Sequence, residues 1–169
     1  MNCNQMNNLC QNENKCKKPK IIFVTDPNAQ TGLTAYAGMY NTTTETIPLT
    51  ADTTQQVPFN NTMPNLNTTY VDDSIQITSP GVYEINYSLI PSVSAAGDVT
   101  VAVRNFGTDI ASTVQTKSLE ADTETPFNGT TLVQLPSGAQ LDLAITSSAE
   151  GNLTLGTGVN ATLTVKKIN

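Results

Sequence analysis

The chain holds no histidine and no tryptophan, and only 13% of its 169 residues are charged. Without histidine there is no Ser-His or Cys-His pair and no imidazole for acid–base work near neutral pH. No catalytic constellation emerges from the residues that remain, no cofactor motif is present, and a hydrolase would further lack a paired-glutamate motif. No run approaches the ~18 apolar residues that a membrane-crossing helix needs, so no membrane partner is expected. The first residues are polar, with no apolar signal core, so no classical signal peptide is expected. Cysteine is confined to Cys3, Cys10 and Cys16. Three thiols with no histidine and no fourth cysteine make a poor zinc site, so no metal is expected there.

The charge is unevenly spread. Residues 1–20 carry Lys15, Lys17, Lys18 and Lys20 against Glu13, whereas the remaining residues carry four basic and thirteen acidic side chains. An acidic body argues against nucleic acid, because phosphate binding needs a basic face. A short basic tail on an acidic body fits either steering of copies together, screened by salt, or a simply solvated tail.

The chain divides into three parts. Residues 1–20 form a polar, asparagine-rich connector with too few apolar side chains to build a core. Thiols on such a tail, with none elsewhere to meet them, make Cys3, Cys10 and Cys16 candidates for disulfides between subunits. Three free thiols in a reducing cell remain the alternative. Residues 21–32 hold an apolar block, Ile21, Ile22, Phe23 and Val24, closed by Asp26-Pro27-Asn28 and a short linker. Continuous apolarity fits either the first strand of its own domain or a strand added to a neighbour's sheet edge.

Residues 33–169 read as β structure. Few windows favour helix, and threonine is abundant on the polar positions. In Val82–Leu89, Tyr83, Ile85, Tyr87 and Leu89 alternate with Glu84, Asn86 and Ser88, the period of a strand with one buried face. Ser74–Thr78 also alternates, and Ser79-Pro80-Gly81 predicts a hairpin joining it to that strand. Val99–Arg104, Thr130–Leu135, Leu141–Ile145 and Val159–Val165 repeat the alternation, with turn residues between them. Strand candidates also fall at Leu33–Tyr40 and Ile110–Thr116, and a short edge piece at Val57–Phe59. Spacing of roughly 8–12 residues predicts an all-β jelly-roll sandwich of about eight antiparallel strands. Asp72-Asp73 precede a strand, but adjacent loop carboxylates are better read as solvated than as a calcium site. Sequons at Asn41, Asn60, Asn67, Asn86, Asn128, Asn152 and Asn160 are what chance yields in so Asn- and Thr-rich a chain.

Ala35–Asn41 followed by Val57–Asn60, then Ser74–Tyr87, Thr131–Leu143 and Asn160–Val165, resembles the C-terminal domain of the collagen-like glycoproteins of the spore exosporium. That family lies within the complement and tumour-necrosis-factor-like jelly rolls. The resemblance implies a jelly roll that commonly trimerises on a spore surface, facing outward. This chain has no Gly-X-Y stalk, and a cysteine-bearing connector stands in its place. That layout is similar to endospore appendage pilins, jelly-roll subunits joined by N-terminal connectors; the plan carries over, not individual residues. The expectation is a non-enzymatic, self-assembling fibre subunit, with other exosporium or spore-coat proteins as further partners. The alternative is a trimeric lectin- or receptor-like module, which requires an exposed aromatic or charged patch.

Overall fold

A computed structural model describes residues 32–169. Cys3, Cys10, Cys16 and the block Ile21, Ile22, Phe23 and Val24 lie outside the described residues. The strands in chain order are β1 (Tyr36–Asn41), β2 (Glu45–Leu49), β3 (Thr54–Gln56), β4 (Asn61–Thr62), β5 (Thr68–Val71), β6 (Ser74–Ile77), β7 (Gly81–Leu89) and β8 (Pro91–Val93). They continue as β9 (Gly97–Asn105), β10 (Thr108–Asp109), β11 (Gln115–Leu119), β12 (Phe127–Leu135), β13 (Gln140–Ser147), β14 (Gly151–Leu155) and β15 (Ala161–Lys167). A 3-10 turn at Ala111–Thr113 is the one helical element among the described residues. The long strands form the jelly-roll frame, and the additional ones are two to five residues long.

Strand β7 sits inside the first sheet, ordered β12-β7-β15-β1-β4. Its whole length pairs antiparallel with β12, and from Tyr83 to Leu89 it also pairs with β15. A second sheet is ordered β10-β9-β13-β6-β5, with β11 on β9 and β3 on β13. A small third sheet, β2-β14-β8, completes the fold.

The alternating side chains meet between the two large sheets. Tyr83, Ile85, Tyr87 and Leu89 from β7 and Leu163 and Val165 from β15 are buried against Leu141, Leu143, Val99, Val101 and Val103. A period of two is what delivers these apolar rows to one face. The buried tyrosines also satisfy their hydroxyls. Tyr83 Oη donates to the Ser79 carbonyl at 2.7 Å, and Tyr87 Oη to the Thr113 carbonyl at 2.5 Å. Burial raises the pKa of both rings. Thr113 anchors the 3-10 turn in return: its Oγ1 accepts from Val103 N at 2.9 Å and donates to the Ile110 carbonyl at 2.7 Å.

Several local expectations change. Ser79-Pro80-Gly81 does not close a hairpin: β6 pairs with β5 and β13, whereas β7 belongs to the other sheet. A Pro-Gly pair reverses the chain without stating which strand it returns to, and here the chain crosses between layers. The hairpin partner of β6 is β5, through Asp72-Asp73, both in the left-handed region (φ 45° and 54°). Val57–Phe59 is not a strand, although Val57 is buried and its N–H donates to the Leu143 carbonyl at 2.9 Å. Ile110–Thr116 resolves into the 3-10 turn and the start of β11. Val159 lies before β15 and is 56% exposed, because Gly158 (φ 84°) breaks the extended run just ahead of it.

Candidate functional site

The outward face of the first sheet is built by the same periodicity that builds the core. In register across four strands lie Tyr36, Lys166, Glu84 and Leu132. The next row is Gly38, Thr164, Asn86 and Thr130, and the one after it Tyr40, Thr162, Ser88 and Asn128. Threonine and asparagine supply five of these twelve positions on the face, and two tyrosines, a leucine, a serine, a glycine and one charged pair the rest. Its single ion pair joins Lys166 Nζ to Glu84 Oε1 at 2.9 Å. The same oxygen accepts from Asn86 Nδ2 at 2.9 Å, and Thr130 Oγ1 donates to Asn86 Oδ1 at 2.5 Å. The Lys166 hydrogen bond, then that of Asn86, hold the Glu84 carboxyl below its ordinary pKa.

This face is a surface with hydrogen-bonding capacity, one internally neutralised ion pair and an exposed Leu132 (58%). Polar and apolar groups in that mixture are what non-obligate protein interfaces present. Two concavities mark it. One, of about 530 Å³, runs along Asn86, Ser88, Asn128, Thr130 and Thr162. The other, of about 370 Å³, is an apolar groove lined by Leu33, Tyr36, Met63, Pro64 and Val165. Met63 covers Gly38 so closely that a Cβ there would lie 2.5 Å from its sulfur. Tyr70 fixes the groove's backbone, its Oη donating toward the Met63 carbonyl at 2.7 Å and the Gly38 carbonyl at 3.0 Å.

The polar side of β7 was visible in the sequence through Glu84, Asn86 and Ser88. The rows across it were not, because they depend on β15, β1 and β12, which come from distant parts of the chain. The candidate disulfide residues Cys3, Cys10 and Cys16 and the candidate added strand Ile21–Val24 lie outside the described residues, so no geometry attaches to them. Leu33, which lines the apolar groove, is close to where the described residues begin. Asp72 and Asp73 are exposed turn residues, and Asp73 Oδ1 accepts from Phe59 N at 2.9 Å. Among the described residues, no group of three or more Cys, Asp or Glu side chains is placed to hold a metal ion.

Two layers of antiparallel strands with this connectivity form a jelly roll, the fold of several solved domains. The globular domain of a zebrafish complement 1qA protein is similar over 80% of this chain and 98% of its own (TM-score 0.52, 13% identity). The PRD1 vertex protein P5 is similar over 82% of this chain and 100% of its own (TM-score 0.55, 14% identity). An Eiger TNF from S. frugiperda is similar over 82% and 94% (TM-score 0.57, 13% identity). No curated protein sequence matches the chain. The family model of the BclA C-terminal domain matches residues 37–169, and the chain belongs to that family. That family is a structural or binding jelly-roll domain of the exosporium.

Proposed function

We propose that this protein is a non-enzymatic structural subunit that self-assembles into a disulfide-reinforced fibre on the spore surface or outside the cell. In this reading residues 1–20 are the clasp, residues 21–32 carry an added strand, and residues 33–169 are the building block. The observation that carries it is the placement of cysteine. All three thiols lie within the first sixteen residues and none in the jelly roll. Any disulfide between two copies therefore joins tail to tail, and the contacts of the bodies must be non-covalent.

The non-covalent part is assigned to two surfaces. The outward face of β12-β7-β15-β1-β4 brings bodies together, as the self-associating character of the family supports. Ile21–Val24 docks on a neighbouring subunit, where backbone hydrogen bonds hold an added strand and alternate side chains fill pockets. The apolar groove at Leu33 is a surface of the right chemistry for those side chains. Each disulfide would then contribute about 2–4 kcal/mol against dissociation, in surroundings oxidising enough to keep it.

The full chain tests this directly. Cys3→Ser, Cys10→Ser and Cys16→Ser together should leave assembly intact but make it sensitive to heat and denaturant, with only monomer on a non-reducing gel. Ile22→Asp with Phe23→Asp should block assembly with the thiols present. Fibres as resistant as the parent's from both variants would overturn the proposal.

A further inference from the structure

Two tight turns stand side by side at one end of the β10-β9-β13-β6-β5 sheet. Asp72-Asp73 joins β5 to β6, and Phe106-Gly107 joins β9 to β10. All four residues have positive φ, at 45°, 54°, 49° and 75°, as two-residue turns between antiparallel strands require. Aspartate, asparagine and glycine tolerate that region; for a bulky side chain such as phenylalanine it is an outlier. Phe106 is also the most exposed of the large apolar side chains among the described residues, at 67%. The fold thus holds an aromatic ring in water on a turn that disfavours it. Neither burial nor turn geometry accounts for a phenylalanine there.

What lies beside the ring is polar. Phe106 and Gly107 border a cavity of about 220 Å³ whose other walls are Gln56, Asp72, Ser74, Gln140 and Asp142. Asp142 is held by Arg104, whose Nε donates to Oδ1 at 3.1 Å and whose Nη2 donates to Oδ2. Gln56 is fixed through its Nε2, which donates to the carbonyls of Asp72 at 2.9 Å and Asp73 at 3.2 Å. Its Oε1, the Gln140 side-chain amide and the Asp72 carboxylate have no partner among the described residues. The cavity therefore offers fixed acceptors, one free amide donor and an aromatic wall.

That set selects among ligand classes. An anion would face the carboxylates of Asp72 and Asp142, and the nearby cation, Arg104, is already engaged. A metal ion lacks its third carboxylate. A neutral ring that is apolar on its C–H face and hydroxylated at its rim suits all the walls: the face lies on the phenyl ring, and hydroxyls bond to the carboxylate and amides. We infer that the cavity beside Phe106 is a subsite for a neutral sugar. It does not depend on the fibre reading, since it uses neither the connector nor the outward face of the first sheet.

The test is saturation-transfer NMR on the full chain with glucose, galactose, mannose and N-acetylglucosamine, each at millimolar concentration. At least one should receive saturation, strongest on the protons of one ring face. Phe106→Asn should weaken that sugar at least tenfold while leaving thermal stability equal or higher, because asparagine suits the left-handed turn. Gln140→Ala should weaken it severalfold, and Phe106→Trp should retain it. No saturation of any of the four sugars would overturn the inference, as would unchanged affinity in Phe106→Asn. A change in the mass of the assembly on Phe106→Asn without sugar binding would likewise overturn it, and would make the ring a contact between copies.

Discussion

Replacing Gly129 by alanine should loosen the core from its edge. Gly129 lies in β12 opposite Tyr87 of β7. A Cβ at this position would stand 2.6 Å from Tyr87 Cε1 and 2.8 Å from both Cζ and Oη. The ring has little room to retreat, because Tyr87 is buried and its hydroxyl is bonded to the Thr113 carbonyl in the 3-10 turn. Overpacking of this kind costs about 1–3 kcal/mol, and loss of the Thr113 hydrogen bond adds about 1. Reduced freedom of the unfolded chain returns about 0.4–1 kcal/mol. The net is a destabilisation of about 2 kcal/mol, or roughly 8 °C in Tm for a domain of this size. Calorimetry measures it, and the near-ultraviolet circular dichroism of the tyrosines should fall in parallel. Gly156→Ala is the control: its close neighbour is only the mobile end of Glu124, at 2.9 Å, so Tm should hardly move. Equal Tm values for the two variants would show that Tyr87 is not pinned and refute the reasoning.

Leu143→Ala should cost about 2–5 kcal/mol by denaturant unfolding, since Leu143 is fully buried between the large sheets and leaves a cavity. Asp142→Asn should cost about 3 kcal/mol by leaving Arg104 mostly buried without its carboxylate, and Arg104→Met with Asp142→Leu should recover much of that loss. Glu84→Gln should lower Tm slightly at neutral pH. Because the Glu84 carboxyl is depressed in the folded state, its contribution is present above the unfolded pKa and is lost as pH falls through the folded one. The Tm gap between parent and Glu84→Gln should therefore close below about pH 4; a gap that persisted in acid would exclude the Lys166 and Asn86 bonds as its source.

The parts of the fold legible in the sequence are those where one face is buried and the other wet. Tyr83, Ile85, Tyr87 and Leu89, with Leu141, Leu143, Leu163 and Val165, are all buried as their alternation requires. Alternation reports a face, however, not a neighbour. It could not tell that the chain leaves the second sheet after β6 and enters the first with β7. Short strands were harder still. In β5, Thr68 is buried and Tyr70 half-buried, yet its Thr-Thr-Tyr-Val sequence follows an asparagine- and threonine-rich loop that resembles it in composition. Strand β14 was hidden between glycines, although Leu153 and Leu155 are fully buried. Neither surface candidate was legible. The sheet face needs the long-range register of four strands; Asn105-Phe106-Gly107 reads as a turn in sequence, but nothing in it places Phe106 beside Gln140.

The pairing of β1 with β15 has a practical corollary. Tyr36 lies opposite Lys166, and the Lys167 N–H donates to the Ala35 carbonyl at 2.8 Å. The backbone thus enters and leaves the sandwich at one pole, beside the groove lined by Leu33 and Tyr36. A cargo fused after Asn169 would crowd that pole. The opposite pole, where Asn41, Leu89, Phe127 and Ala161 line up, is about 20 Å away along β15. Its Thr157-Gly158 turn is exposed, and Gly158 has open space around it. An epitope inserted there would be displayed away from the pole where the backbone enters and leaves, leaving the groove clear.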